Sequence, residues 1–146
     1  MYHEIKSNED IAYFLEKTNS LHDGYIIGVQ YAHDGISKIS GGHSFDYKQK
    51  TLVIKILVTS LWDTVVELEF RGVCKWQIKD WNSDMTDTAI LFNGQNGILW
   101  VDDLYIDMED AQKGSYVSAD SMRWRIVESN SEPTYKRKEI MEYELS

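Results

Sequence analysis

Hydrophobic residues recur along this chain with two different periods. Near the start, Ile11, Phe14 and Leu15 follow the spacing of one helical face. Ser7, Asn8, Glu9 and Asp10 precede them, offering capping side chains and early acidic groups, and Thr18-Asn19-Ser20 ends the run. The pattern predicts an N-terminal helix of about three turns, which must lean on other elements to be stable. After Gly24 the period becomes two. Tyr25, Ile27, Val29 and Tyr31 alternate with Ile26, Gly28 and Gln30. Leu52 to Val58 reads as a mostly buried strand. Val66, Leu68 and Phe70 alternate with Glu67, Glu69 and Arg71, and Met122, Trp124 and Ile126 alternate with Arg123 and Arg125. Such alternation is the mark of antiparallel strands with one wet face.

Turn residues separate these runs. His33-Asp34-Gly35 through Gly41-Gly42 reads as a loop, and Asn93-Gly94-Gln95-Asn96-Gly97 joins Thr88–Phe92 to Ile98–Asp102 as a hairpin. About seven or eight strands at short spacing, with one helix before them, predict an α+β domain. Its core is a curved antiparallel β-sheet, sandwich-like or barrel-like. The domain spans 1–132. Pro133 ends the last strand region, and 133–146 is either a tail or a short helix.

Composition narrows the class without naming a function. The chain has 146 residues, 42% hydrophobic and 27% charged, as expected of a globular domain. No apolar run approaches a membrane span, and Met1 to Lys6 lacks the basic-then-apolar order of a secretory signal. One cysteine, Cys74, makes no intramolecular disulfide, which favours a reducing, cytoplasmic setting. The net charge of -9 argues against nucleic acid as a partner, because phosphate affinity comes mainly from clustered Lys and Arg.

Few residues offer chemistry. His-Asp-Gly occurs at His22-Asp23-Gly24 and at His33-Asp34-Gly35, at opposite ends of one predicted strand and therefore too far apart for a shared metal. Each is expected to be a turn in which Asp bonds the backbone and Gly takes positive φ. His22-Asp23, where the helix hands over to the first strand, is also a candidate ligand or hydrolase site, since Asp can orient a His. It lacks an identifiable third partner. Cys74 is expected to be a small buried side chain. No zinc, nucleotide or hydrolase motif occurs, so no cofactor, metal ligand or catalytic residue is assigned. Trp100 and Trp124 are expected in the core. Trp76 and Trp81, five apart, point to opposite faces of an extended strand, leaving one available to a partner.

Asn19-Ser20-Leu21-His22-Asp23-Gly24 before an alternating strand resembles the aromatic-or-Leu, His, Asp opening of small uncharacterised bacterial proteins. Some of these look like immunity proteins of toxin systems. Glu67 to Val73, a later strand ending in Gly-Val, is similar in style. The resemblance covers residues 19 to 127 in pattern, with Leu21 where an aromatic is more familiar. It implies a cytosolic binding protein and carries over no catalytic residue.

The negative charge is concentrated. From Asp80 to Gln112 there are eight acidic residues and no Lys or Arg, whereas the rest of the chain carries 16 acidic and 15 basic residues. If Asn93–Gly97 is the hairpin loop, Phe92 pairs with Ile98, Thr88 lies opposite Asp102, and Asp87 lies opposite Asp103. Asp84 and Asp107 flank the same open end. Three readings of this carboxylate group stand beside one another. It is a set of solvated turn residues, a surface for a basic protein partner, or a divalent-cation site, although the D-x-D-x-D-G loop is missing. The sequence therefore points to a non-enzymatic binding module that offers Asp84, Asp87, Asp102, Asp103 and Asp107 to a basic partner. A small-ligand or hydrolase site at His22 and Asp23 is the alternative.

Overall fold

The computed structural model describes residues 1–33, 36–39, 42–45, 50–79, 84–94, 97–104, 108–111 and 113–128. The chain forms β1 (His3–Glu4), α1 (Asn8–Lys17), β2 (Gly24–His33), β3 (Ile36–Ile39), β4 (Gly42–Phe45) and β5 (Lys50–Val58). It continues through β6 (Thr64–Gln77), β7 (Ala89–Asn93), β8 (Gly97–Val101), α2 (Met108–Ala111) and β9 (Tyr116–Glu128). Seven strands make one sheet in the order β2-β5-β6-β9-β8-β7, with β1 also paired to β9. β3 and β4 form a separate two-stranded ladder. Every pairing is antiparallel. The path ends at β2 and at β7, so among the described residues the sheet is open and does not close into a barrel. The architecture is the α+β antiparallel sheet with an N-terminal helix that the alternation implies. No helix among the described residues is long and apolar enough to cross a membrane. The segment 133–146, a tail or short helix by sequence, lies outside the described residues.

The strand periods decide which face holds the core. Leu52, Ile54, Ile56 and Val58 of β5 are buried, and in register beside them lie Val66, Leu68 and Phe70 of β6. Met122 and Trp124 continue the layer on β9. Helix α1 covers it: Phe14 is fully buried and meets the Trp124 ring edge-on at 5.3 Å. Ile11 and Leu15 pack alongside. The helix starts on a capping box. The Ser7 hydroxyl accepts from the Asp10 amide at 3.2 Å, and the Asp10 carboxylate accepts from the Ser7 amide at 3.1 Å. Trp100 is also in the core, as expected of a strand tryptophan. Trp76 is half-buried beside Tyr31, with ring centroids 5.5 Å apart. Trp81 lies outside the described residues.

Three details depart from the simple alternation. The strand β2 carries a bulge between Ile26 and Gly28. Tyr25 therefore aligns with outward-facing Leu57, whereas Tyr31 aligns with core-facing Leu52. Cys74, expected to be buried, is exposed. Gly72 takes φ +68, and the ladder with β9 slips between Val73 and Lys75. Cys74 is the extra residue of that bulge and is pushed to the surface, while Val73 stays buried. The expected wet face of β6 is partly covered as well. Glu67 is only 5% exposed, because Tyr2 donates to its carboxylate at 2.8 Å and Arg125 bonds it at 2.6 Å. Arg123 pairs with Glu69 in the next row, and its guanidinium stacks on Tyr2 at 3.8 Å.

Candidate functional site

The candidate site is built where α1 hands over to β2. Asn19, Ser20 and Leu21 all have positive φ and form a left-handed turn, followed by Asp23 at φ 56. Such conformations cost an L-residue about 1–2 kcal/mol each. Here tertiary contacts fix them: Leu21 is fully buried, and the Leu21 amide bonds the Thr18 carbonyl at 3.1 Å. Asp23, not Gly24, is the left-handed residue of the His-Asp-Gly turn, which corrects the expectation for that tripeptide. Gly24 is needed for close approach instead. A Cβ there would sit 2.7 Å from the Leu21 carbonyl oxygen and 2.9 Å from Ile56. For the second copy, His33 is the last residue of β2, and Asp34-Gly35 lies outside the described residues.

A second turn abuts the first. Thr59–Leu61 leads into Trp62 and Asp63, both at positive φ. Ser20-Leu21-His22-Asp23 and Ser60-Leu61-Trp62-Asp63 share a Ser-Leu-X-Asp sequence before a strand, but only the Asp is left-handed in both: His22 has φ -60 where Trp62 has φ 55, and Ser20 and Leu21 are left-handed where Ser60 and Leu61 are not. All non-glycine residues of positive φ among the described residues lie in these two turns. Their contact is polar. The Ser60 hydroxyl donates to the His22 carbonyl, Asn19 Nδ2 donates to Ser60 Oγ at 3.0 Å, and Thr59 Oγ1 donates to the Asp23 carbonyl at 2.8 Å. The recurrence of Ser-Leu-X-Asp before two strands was the signal in the sequence that would have marked both turns.

The acidic segment arrives from the far side of the sheet. The Asp23 amide donates to the Met85 carbonyl at 2.8 Å, and the Met85 amide donates to the Gly24 carbonyl at 2.9 Å. Buried Thr88 then ties two elements together. Its amide bonds the Ser20 carbonyl at 3.0 Å, and its hydroxyl donates to the Val101 carbonyl at 2.6 Å. This packing brings the acidic segment to His22. His22 Nδ1 donates to the Thr86 carbonyl at 2.6 Å, with the proton on Nδ1 because a carbonyl only accepts. The ring lies 3.7 Å from Asp23 and 4.0 Å from Asp87, and each of the three side chains is about half exposed. The Thr86 carbonyl first, then Asp23, Asp87 and Asp84, hold the His22 pKa above the usual imidazole value against a smaller effect of burial.

The two sequence-level candidates, His22-Asp23 and the acidic segment, are therefore neighbours. Within the hairpin, Phe92 faces Ile98 in the expected register, and the ladder ends at Ala89 opposite Val101. Past that pair Asp87 turns to His22, while Asp102 bonds the Ser115 carbonyl through its amide at 3.1 Å. Asp103 accepts from the Leu104 amide at 2.7 Å. Asp107 lies outside the described residues.

The geometry limits the chemistry. The Ser60 hydroxyl is spent on a backbone carbonyl, so it is not aligned with the His22 ring as a nucleophile would be. Among the described residues no three His, Cys, Asp or Glu side chains are arranged to hold a metal ion. A cavity of about 350 Å³ lies between Ile5-Lys6 and the β7–β8 hairpin, with Phe92 and Asp120 in its wall. None of His22, Asp23, Asp84 or Asp87 lines it. What the site offers is exposed negative charge on a rigid, doubly tied turn. Comparison of the chain with protein-family models, curated proteins and solved structures finds no match.

Proposed function

We propose that this chain is a non-enzymatic protein-binding module of the immunity or inhibitor type, presenting the His22–Asp23–Asp87 surface to a basic protein partner. The convergence of Asp23, Asp84 and Asp87 on one exposed imidazole, from segments far apart in sequence, carries this reading. We extend the proposed surface to Asp102 and Asp103, which follow the end of β8. Focused charge of one sign speeds encounter with a cationic partner and disfavours anionic ones. The left-handed turn holds Asp23, and the backbone hydrogen bonds of Met85 and Thr88 hold the segment carrying Asp84 and Asp87 against it, which lowers the ordering cost of binding.

The product of the adjacent open reading frame is the partner to test first. A basic, nuclease-like product there is expected to bind at low ionic strength, with affinity falling as salt is raised. Asp87→Asn combined with Asp103→Asn is expected to weaken that binding by about tenfold, mainly through the association rate. Titration calorimetry with stopped-flow kinetics checks both. Unchanged affinity in the double variant at low salt would overturn the proposal.

A further inference from the structure

The cavity beside the β7–β8 hairpin lies apart from the acidic surface. Its volume of about 350 Å³ stands at the lower end of the roughly 300–1,000 Å³ typical of small-molecule pockets. Ile5, Ile98 and Phe92 supply its apolar wall. Ile5 and Ile98 are buried, whereas Phe92 is 43% exposed. Lys6, Asp120 and Ser121 supply the polar wall. Asp120 is the unusual member. Its side chain is half-buried, yet its carboxylate takes no hydrogen bond and no ion pair from the described residues. It rests over Gly72, where a Cβ would collide with it. Glu67 and Glu69, on the strand that pairs with β9, are by contrast both held by arginines. A carboxylate withdrawn from water without donors costs stability. The Ser121 hydroxyl beside it is likewise spent on no described residue. Lys6 is exposed and does not pair with Asp120 across the opening.

We propose that this cavity binds a free amino acid with an apolar side chain. Its ammonium would sit on Asp120, its carboxylate on Lys6, and its side chain against Ile5, Ile98 and Phe92. The wall itself selects this class. An ammonium brings three N–H donors to a carboxylate that has none. A simple amine would leave Lys6 facing a like charge, and a simple anion would meet Asp120. An uncharged apolar molecule would seal Asp120 from water without a donor, which is the costly case. A long peptide carries its two terminal charges too far apart for one small cavity. A small molecule with both charges and an apolar group satisfies every part of the wall. The cavity shares no residue with the His22–Asp23–Asp87 surface, so this site stands independently of the partner proposed there.

Titration calorimetry with leucine and phenylalanine as probes is expected to show saturable binding with a Kd of about 1 mM or below. N-acetyl-leucine lacks the ammonium and leucinamide lacks the carboxylate. Each is expected to bind at least about tenfold more weakly than leucine. Asp120→Asn is expected to weaken leucine by a similar factor without lowering the melting temperature, since the described residues give Asp120 no bond to lose. Lys6→Gln is expected to weaken leucine but not leucinamide, which has no carboxylate for Lys6 to hold. No saturable heat with either amino acid, N-acetyl-leucine binding as tightly as leucine, or unchanged leucine affinity in a folded Asp120→Asn would each refute the assignment.

Discussion

His22 takes its properties from its neighbours. Its folded-state pKa lies above the ordinary value of about 6.5, chiefly because Nδ1 is bonded to the Thr86 carbonyl and then because Asp23, Asp87 and Asp84 stand nearby. For a raised pKa, the stabilisation is fully present below the unfolded value and is lost as pH rises through the folded one. His22→Ala is therefore expected to lower the melting temperature at mildly acidic pH and to have a smaller effect at alkaline pH. Melts of both proteins across that range test this, and a pH-independent difference would exclude ionisation as the cause. Thr88 is the second residue on which the site depends. Thr88→Val keeps the shape but leaves the Val101 carbonyl without its hydroxyl donor. A loss of about 1–3 kcal/mol in denaturant unfolding is expected. The exposed Cys74 teaches the converse: residue type alone favours burial of a small thiol, but a bulge reversed its direction.

At the scale of elements, the outer face of β6 and β9 is a charge ladder with a tyrosine lid. In register across the sheet stand Lys55, Glu67 and Arg125, and beside them Glu69, Arg123 and Glu4. Opposite charges thus face each other on neighbouring strands. Burial alone would raise the Glu67 pKa, but Arg125, Tyr2 and Lys55 together hold it below the usual carboxylate range. A depressed carboxyl contributes stability above its unfolded pKa of about 4.3 and loses it as pH falls through the folded value. Glu67→Gln is expected to cost roughly 1–2 kcal/mol near neutral pH, since Arg125 is 40% exposed and water screens the pair. The difference from wild type should shrink in acid, where wild-type Glu67 is itself protonated. Urea unfolding at the two pH values checks the sign. Alternation located this face correctly. It did not reveal the lid, because Tyr2 reaches Glu67 across 65 positions of sequence.

For the whole molecule, charge and hydrophobicity are segregated within one hairpin. The acidic residues flank it, and its uncharged strands supply the end of the sheet. Added salt is therefore expected to weaken binding at the acidic surface while leaving the uncharged hairpin ladder intact.

The sequence by itself determined what depends on near neighbours. The capping box and apolar stripe define α1, period-two alternation defines the phase of β5 and β6, and Asn-Gly residues set the β7–β8 register. Composition likewise located the acidic segment. Tertiary structure decided which of these pieces meet. His22 and Thr86 are 64 residues apart, and no local pattern records that the chain between β6 and β7 returns to the start of β2. The bulges at Ile27 and Cys74 were equally invisible, because a bulge is set by the fit of one strand to its neighbour. Local propensity is written in adjacent residues. The site is written in strand order, which only the packing of the whole sheet fixes.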